Sequence, residues 1–135
     1  MKKIDILSKL RSSGLRPTKQ RVEIAKFLFD REKTFHFTIE NLGKLLEKKT
    51  TSKCALATIY NTVHAFISAG HLKEVEVRGK KTYFDTNVSD HHHFYDLETS
   101  ELIDIDKKDV IIEKIPKAPN GKKIKNVEVF INLKN

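Results

Sequence analysis

The sequence predicts an α+β fold in two parts, residues 1–84 and residues 85–135. Before Gly70, apolar residues recur at three- and four-residue steps in four segments, which indicates four amphipathic helices. After Gly70 the spacing changes to an alternation of apolar and polar residues, which is typical of strands. The charge changes along the chain as well: residues 1–82 hold 18 Lys and Arg against 8 Asp and Glu, whereas the remainder holds 8 against 10. A basic front half is therefore predicted to be joined to a slightly acidic back half.

Each predicted helix has an apolar stripe, and two of the helices follow a threonine that can cap the first turn. Thr18 precedes the second helix, which Pro17 prevents from extending backward, and Thr38 precedes the third. Segments 33–37 and 47–53 are predicted to be a loop and a linker. The apolar stripes consist of Ile4, Leu7 and Leu10; Val22, Ile24, Ala25, Leu28 and Phe29; Ile39, Leu42, Leu45 and Leu46; and, in the fourth helix over residues 54–68, Leu56, Ile59, Val63, Phe66 and Ile67.

A β-hairpin is predicted over residues 72–84, with three basic side chains at its tip, Arg78, Lys80 and Lys81. Helices followed by such a hairpin are the order of a winged helix, which places its last helix in the DNA major groove and its wing against phosphates. The sequence therefore predicts binding to double-stranded DNA.

The fourth helix carries Thr58, Tyr60, Asn61 and His64 away from its apolar stripe. Thr and Tyr can contact thymine methyl groups, and Asn can pair with the edge of adenine. A solvated helix face is the alternative interpretation for each of these residues taken singly. The basic hairpin tip and the basic front half favour a DNA-reading face.

Residues 85–135 are predicted to form a small α/β domain. Strands are expected at 93–97, 102–105 and 127–133, with a helix at 109–115 and a loop at 116–121. A β-β-α-β unit of this size can hardly bury its own faces, so a second copy is expected to cover it in a homodimer.

Several classes of protein are excluded or disfavoured. Cys54 is the only cysteine, so neither a disulfide nor a structural CxxC zinc site can form within the chain. There is no signal peptide at the start of the sequence and no apolar run of about 20 residues, so we expect a cytoplasmic protein without a membrane association. No nucleophile elbow, phosphate loop or HExxH motif accompanies the His and Asp residues, which disfavours an enzyme.

Three consecutive histidines, His91, His92 and His93, are the sharpest chemical signal. On a strand, His91 and His93 would share one face and His92 would take the other. Imidazole is a ligand for Zn, Fe, Cu and Ni and an axial ligand for haem. The alternative is an exposed histidine-rich loop with incidental metal affinity.

Three motifs resemble the Fur superfamily of metal-dependent regulators: GLRPTKQR at 14–21, ATIYNTVHAFISAGHLKEV at 57–75 and YFDT at 83–86. The resemblance implies that Arg16 reaches the minor groove and that Tyr60 contacts a base. It also implies that Thr18, Gln20 and Arg21 lie near phosphate. Asn61 stands where many members of the family have arginine, so the base preference is expected to differ.

The resemblance further implies a metal site at the hinge between the two domains, with His36, Asp85, His93 and Asp104 as ligands. Two imidazoles and two carboxylates suit Zn, Fe(II) or Mn(II), and the spacing does not choose between them. Occupancy of this site would fix the angle between the domains and so control DNA affinity. The cluster of Asp90, His91, His92 and His93 is a candidate for a second metal or haem site.

The segments SDHHHFYDLETSELIDI at 89–105 and KNVEVFI at 125–131 closely resemble the Irr branch of the superfamily. This implies a regulator of iron and haem genes that binds A/T-rich operators as a dimer and responds to haem or iron. A zinc, manganese or peroxide sensor using the hinge ligands is the alternative within the superfamily. A haem- or metal-buffering protein is the alternative from a different class.

Overall fold

The computed structural model describes residues 5–49, 54–77 and 79–135. Ile4, the end of the predicted linker and Arg78 therefore lie outside the described residues. The chain divides into two units, Met1–Val88 and Ser89–Asn135. This division falls beyond the predicted boundary at residue 84 because Asp85 ends the last strand of the first unit.

The described part of the first unit contains four helices and a three-stranded sheet. In chain order its elements are α1 (Ile6–Ser12), α2 (Lys19–Phe29), β1 (His36–Phe37), α3 (Ile39–Lys49), α4 (Leu56–Ser68), β2 (Lys73–Glu76) and β3 (Thr82–Asp85). The strands are ordered β1-β3-β2, and both pairs are antiparallel. Helices followed by the β2–β3 hairpin are the predicted winged-helix order.

The predicted threonine caps of α2 and α3 are confirmed. Thr18 Oγ1 accepts a hydrogen bond from the Arg21 N–H at 3.2 Å, and Thr38 Oγ1 accepts one from the Asn41 N–H at 3.2 Å. Beyond α4, Gly70 has a φ of 84°, the left-handed conformation that favours glycine at this position. These caps fix where α2, α3 and α4 begin or end.

The helices enclose one apolar core, which the stripes of α2, α3 and α4 predicted. Leu28, Leu42, Ile59 and Phe66 are among its fully buried members. The prediction was wrong at Leu56 of α4, which is 53% exposed, and at Leu7 of α1, which is 43% exposed, whereas Ile6 and Leu10 are buried. Ile6 and Leu10, four residues apart, define the side of α1 that faces the core.

Strand β1 corrects the predicted loop at residues 33–37. His36 and Phe37 pair with Asp85 and Phe84 of β3, so the sheet gains a third strand. Two residues are too few to show an alternating pattern, and the partner strand lies far along the chain. The pairing places His36 directly opposite Asp85.

The second unit is a three-stranded sheet made of β4 (His92–Asp96), β5 (Leu102–Ile105) and β6 (Phe130–Leu133). Strand β4 is central, antiparallel to β5 and parallel to β6. The predicted strands at 93–97 and 102–105 are confirmed, and the predicted final strand begins later, at Phe130.

The predicted helix at residues 109–115 was wrong. A single 3₁₀ turn, Lys107–Asp109, is followed by residues 110–129, which form neither helix nor strand. Val110, Ile111 and Ile112 are consecutive β-branched residues, which lose side-chain freedom in a helix and cannot share one helical face. Ile111 is 90% exposed. Among the described residues, no helix is both long and apolar enough to span a membrane.

Candidate DNA interface and metal ligands

Six of the residues predicted to bind DNA line one depression of about 490 Å³ in the first unit, together with the buried Thr62. The six residues are Arg16, Thr18, Gln20, Arg21, Thr58 and Asn61. The depression joins the segment before α2, the first turn of α2 and the polar side of α4. The structure therefore brings together side chains that two separate sequence motifs predicted.

Local hydrogen bonds arrange the positive side of this depression. Thr18 caps α2, and an Arg21 guanidinium N–H donates to the backbone carbonyl of Arg16 at 3.1 Å. The N-terminal end of an α-helix carries a partial positive charge, and two arginines add full charges beside it. This arrangement favours an anionic ligand such as a phosphate group.

Tyr60 lies on a different side of α4, in a groove of about 530 Å³ between this helix and the β2–β3 hairpin. Its side chain is 52% exposed, and its ring lies against the His64 ring with 4.2 Å between the centroids. Lys81 lines the same groove, and Lys80 is exposed at the hairpin turn. Arg78, the third predicted wing residue, is outside the described residues.

Two of the predicted metal ligands, His36 and Asp85, form a pair within the first unit. His36 Nε2 lies 3.0 Å from Asp85 Oδ2, and Asp85 Oδ1 accepts a hydrogen bond from the Asn87 N–H at 2.8 Å. The Asp85 carboxylate is completely buried. A buried carboxylate needs a cation or several donors, and here an imidazole and a backbone N–H hold its orientation.

The other two predicted ligands, His93 and Asp104, meet within the second unit, and His91 joins them. The Nε2 atoms of His91 and His93 lie 3.0 and 3.3 Å from Asp104 Oδ1. The two imidazole rings are 4.5 Å apart between centroids. Both histidine side chains are buried, and the Asp104 side chain that contacts them is 24% exposed.

The bond on the far side of the His91 ring indicates what this arrangement can hold. His91 Nδ1 lies 2.7 Å from the carbonyl oxygen of Ser89, which can only accept, so Nδ1 carries the hydrogen. In a neutral ring, Nε2 is then a lone pair facing the Asp104 carboxylate. Two acceptors in contact need a proton or a metal cation between them. An N–H···O=C bond behind a ligating imidazole is the usual outer support of a protein metal site.

His92 has the opposite hydrogen-bond arrangement: its Nδ1 accepts, whereas Nδ1 of His91 donates. The Val129 N–H donates to His92 Nδ1 at 2.9 Å, so the lone pair of that nitrogen is already used. In a neutral ring the hydrogen then lies on Nε2, which leaves neither nitrogen ready to bind a metal. Asp90 is exposed, and neither it nor His92 belongs to the groups of described residues that could hold an ion.

The sequence predicted that His91 belongs to the second site, with Asp90 and His92. In the structure, His91 lies beside Asp104, one of the predicted ligands of the hinge site. The signal was present in the strand alternation, which places His91 and His93 on one face and His92 on the other. Imidazole and carboxylate donors together fit Zn, Fe(II) or Mn(II). Cys54 does not belong to any group of described residues that could hold an ion, and burial, followed by the charge of Glu23, raises the pKa of its thiol.

A sequence model of the ferric uptake regulator family matches residues 12–133, which is nearly the whole chain. The chain belongs to the ferric uptake regulator family. Its relatives include the ferric uptake regulation protein of Rhizobium leguminosarum bv. viciae, which is 34% identical over 92 residues, or 67% of this chain and 63% of that protein. The peroxide operon regulator of Bacillus subtilis (strain 168) is 30% identical over 100 residues, or 74% of this chain and 67% of that protein.

The alignments with these two curated relatives cover 63% and 67% of their length. Solved structures of the family match over more of their length. The Vibrio cholerae ferric uptake regulator has a TM-score of 0.71 at 22% identity, covering 97% of this chain and 100% of that chain. The manganese-containing regulator of Pseudomonas aeruginosa also has a TM-score of 0.71 at 22% identity, with 98% of both chains covered. These likenesses confirm the predicted α+β fold class.

Proposed function

We propose that this chain is a metal-responsive transcriptional regulator that binds double-stranded promoter DNA as a homodimer and is not an enzyme. The observation that carries the proposal is the position of the His36–Asp85 pair. It lies in the sheet whose β2–β3 hairpin forms the wing, so ligands for a metal and contacts for DNA share one strand, β3. An ion bound at Asp85 can therefore act on an element that touches DNA.

The regulatory ion takes His36 and Asp85 from the first unit and His93 and Asp104 from the second, with His91 as an additional ligand. Each pair is preassembled within its own unit. An ion that needs both pairs restricts how the units are oriented. In a dimer this orientation sets the distance between the two α4 helices, and DNA affinity follows that distance.

The DNA-binding surface consists of the depression at the start of α2, the exposed Tyr60 and the wing. Arg21 contributes charge for phosphates and Arg16 reaches the minor groove, whereas Tyr60 and Asn61 contact bases. The basic wing residues Lys80 and Lys81 contact the DNA backbone. Because phosphate contacts release counterions, affinity for any duplex falls with salt, and only the preference for an operator reports the bases.

An exposed apolar row on the second sheet supports the dimer. Phe94 of β4 stands opposite both Ile103 of β5 and Ile131 of β6, so the three side chains lie side by side on one face. Ile103 is 44% exposed and Ile131 is 41% exposed. A second copy of this chain would cover the row.

A divalent ion, Fe(II), Mn(II) or Zn(II), is the proposed effector. The resemblance to the Irr branch, with control by haem, stays a prediction. Haem needs an accessible axial nitrogen beside a wide apolar pocket, whereas His91, His92 and His93 are at most 5% exposed and each has a hydrogen bond or ion pair through a ring nitrogen. This burial favours a small ion over a porphyrin.

The test is fluorescence anisotropy of metal-stripped protein on an A/T-rich inverted-repeat duplex and on a scrambled duplex, at one salt concentration. Zn(II), Mn(II), Fe(II) and haem are added separately. We expect divalent ions to strengthen binding to the operator over the scrambled duplex by roughly 5- to 150-fold, the usual range of coupling between two sites. His91→Ala/His93→Ala loses this response, and His92→Asn, a matched change in the same cluster, retains it.

Other outcomes assign other functions. A response to haem alone would favour the Irr-like regulator. Loss of binding after Fe(II) and peroxide, together with oxidised histidine, would favour a peroxide sensor of the kind named among the relatives. Equal binding to both duplexes with every effector would overturn the regulator in favour of a metal-buffering protein.

A further inference from the structure

Within the first unit, a series of contacting aromatic rings, here called the aromatic chain, connects the His36–Asp85 pair to helix α4. Phe37 and Phe84 follow and precede these two ligands and are themselves paired across β1 and β3. Their rings are 5.5 Å apart between centroids at 31°. Both rings are buried, with exposures of 0% and 3%.

His64 of α4 continues this chain toward the surface. The His64 ring meets Phe84 edge to face at 6.2 Å and 82°, and it meets Tyr60 at 4.2 Å and 47°. Tyr60 and His64 are four residues apart on one helix, which brings their rings together along the helix axis. The aromatic chain therefore runs from buried rings on β1 and β3, beside His36 and Asp85, to the half-exposed side chain of Tyr60.

The geometry couples the two ends because adjacent residues of a strand share one backbone. Asp85 and Phe84 point to opposite faces of β3, so an ion that draws Asp85 also displaces Phe84. A close-packed interior transmits such a displacement rather than absorbing it. His64 is the side chain through which that displacement reaches Tyr60.

We propose that His64 is a positioning residue that transmits the metal state of the His36–Asp85 pair to Tyr60, and thereby couples operator affinity to metal binding. The inference rests on the proposed function, because Tyr60 is there the base-contacting side chain. The alternative is that His64 only packs, in which case its loss would weaken DNA binding equally with and without metal. The two cases therefore differ in the ratio of the DNA affinity with metal to the DNA affinity without metal.

The first experiment measures operator affinity with Zn(II) and with a chelator for wild type, His64→Ala and His64→Phe. Removal of the ring should reduce the Zn(II)-dependent gain by roughly 2- to 30-fold, the range by which single residues change coupling between sites. Phenylalanine restores an aromatic ring and should restore most of the gain. Glu40→Gln, which lines the same groove from α3 and is not paired with Phe84, should leave the gain unchanged.

A second experiment needs no DNA. The chain holds three tyrosines, Tyr60, Tyr83 and Tyr95, so 3-fluorotyrosine gives three ¹⁹F resonances that Tyr→Phe variants assign. We expect Zn(II) to shift the Tyr60 resonance in wild type and in His64→Phe but not in His64→Ala. The Tyr95 resonance, two residues beyond the ligand His93, should shift in all three and reports that the ion is bound.

The two experiments separate failure of the inference from failure of the proposed function. The inference would be overturned if Zn(II) shifts the Tyr95 resonance but not the Tyr60 resonance of the wild type. It would also be overturned if His64→Ala leaves the ratio of operator affinities with Zn(II) and with chelator unchanged. If wild type shows no specific, metal-dependent DNA binding but Tyr60 still responds through His64, the coupling stands and the proposed function fails. If His64→Ala does not fold, His64→Gln removes the ring while retaining polarity and gives the same comparison.

Discussion

At the scale of single residues, the hydrogen on each imidazole decides which histidines can bind a metal. The Ser89 carbonyl holds the hydrogen on His91 Nδ1 and leaves Nε2 toward Asp104, whereas the Val129 N–H uses the Nδ1 lone pair of His92. Two neighbours in the sequence therefore have opposite proposed roles. His91 is a proposed metal ligand, whereas His92 accepts a hydrogen bond that holds the segment before β6 against β4.

We expect His91→Ala and His92→Ala to separate metal affinity from stability. Loss of His92 leaves a backbone N–H without its acceptor and should lower the free energy of unfolding by about 1–3 kcal/mol. His91→Ala should weaken Zn(II) binding by about tenfold or more. Urea unfolding in chelator and calorimetric Zn(II) titration measure the two effects.

His92→Asn is the control, because its side-chain oxygen can accept the Val129 N–H and should restore stability. A large loss of Zn(II) affinity in His92→Asn would contradict this assignment and return His92 to the metal site.

His71 makes folding sensitive to pH in the first unit. Its Nε2 lies 2.7 Å from Ser13 Oγ, and its ring packs against Phe29 and Phe66. Burial, and then the charge of Lys9, lower the pKa of His71 below its ordinary value of 6.5. The folded state thus favours the neutral ring, so below about pH 6.5 the unfolded chain binds more protons and stability falls.

The measurement is the free energy of unfolding of wild type minus that of His71→Gln, from about pH 7.5 to about pH 5. Glutamine can keep the bond to Ser13 but does not titrate, so the difference isolates His71. We expect it to decrease steadily on acidification. A difference that stays flat, or that grows toward acid, would contradict the lowered pKa.

Among the candidate site residues, the sequence predicted those that belong to motifs. It did not predict which histidine nitrogens are already used in hydrogen bonds, because these bonds depend on the folded structure. The residues of the α2 depression lie together as two motifs implied. The position of His91 beside Asp104 could be read from strand alternation, but the burial of His92 against Val129 could not. That contact joins β4 to a segment far along the chain, and no local pattern marks it.

At the scale of elements, the end of α4 sets where the wing begins. Gly70 has a φ of 84° and leaves space for a side chain, since nothing lies within 4 Å of a Cβ built there. Gly70→Ala should therefore cost only left-handed backbone strain, about 1–2 kcal/mol of unfolding free energy. Gly70→Asn should cost less, because Asn tolerates this conformation.

Chemical denaturation of both variants in chelator tests this prediction. Equal destabilisation by Ala and Asn would mean that a packing conflict, rather than backbone strain, governs the position. The same residue also shows why α4 was predictable: a periodic stripe and a terminal glycine are both local signals.

Elements without local signals were predicted poorly. Strand β1 exists only because β3 pairs with it, and its two residues carry no pattern of their own. The predicted helix at 109–115 had apolar residues but not helical spacing, and three consecutive β-branched residues favour extended backbone instead. In both cases tertiary pairing or side-chain branching decided the structure.

At the scale of the whole molecule, the exposed row of Phe94, Ile103 and Ile131 is the proposed dimerisation surface. Apolar side chains on one face of a three-stranded sheet bury little area unless another surface covers them. Ile103→Lys/Ile131→Lys places two charges in that face without touching a proposed metal or DNA contact. We expect it to weaken the dimer by at least about 2 kcal/mol, as truncation of central interface residues does.

Sedimentation velocity in chelator should then give a monomer at concentrations where wild type is a dimer. Leu97→Lys is the matched control, since Leu97 is 49% exposed but lies in the turn after β4. A monomer contacts only one half of an inverted repeat, so the slope of log affinity against log salt should fall to about half of the wild-type slope. If the double variant stays dimeric with an unchanged slope, another surface forms the dimer, and orientation of the α4 helices must be set there.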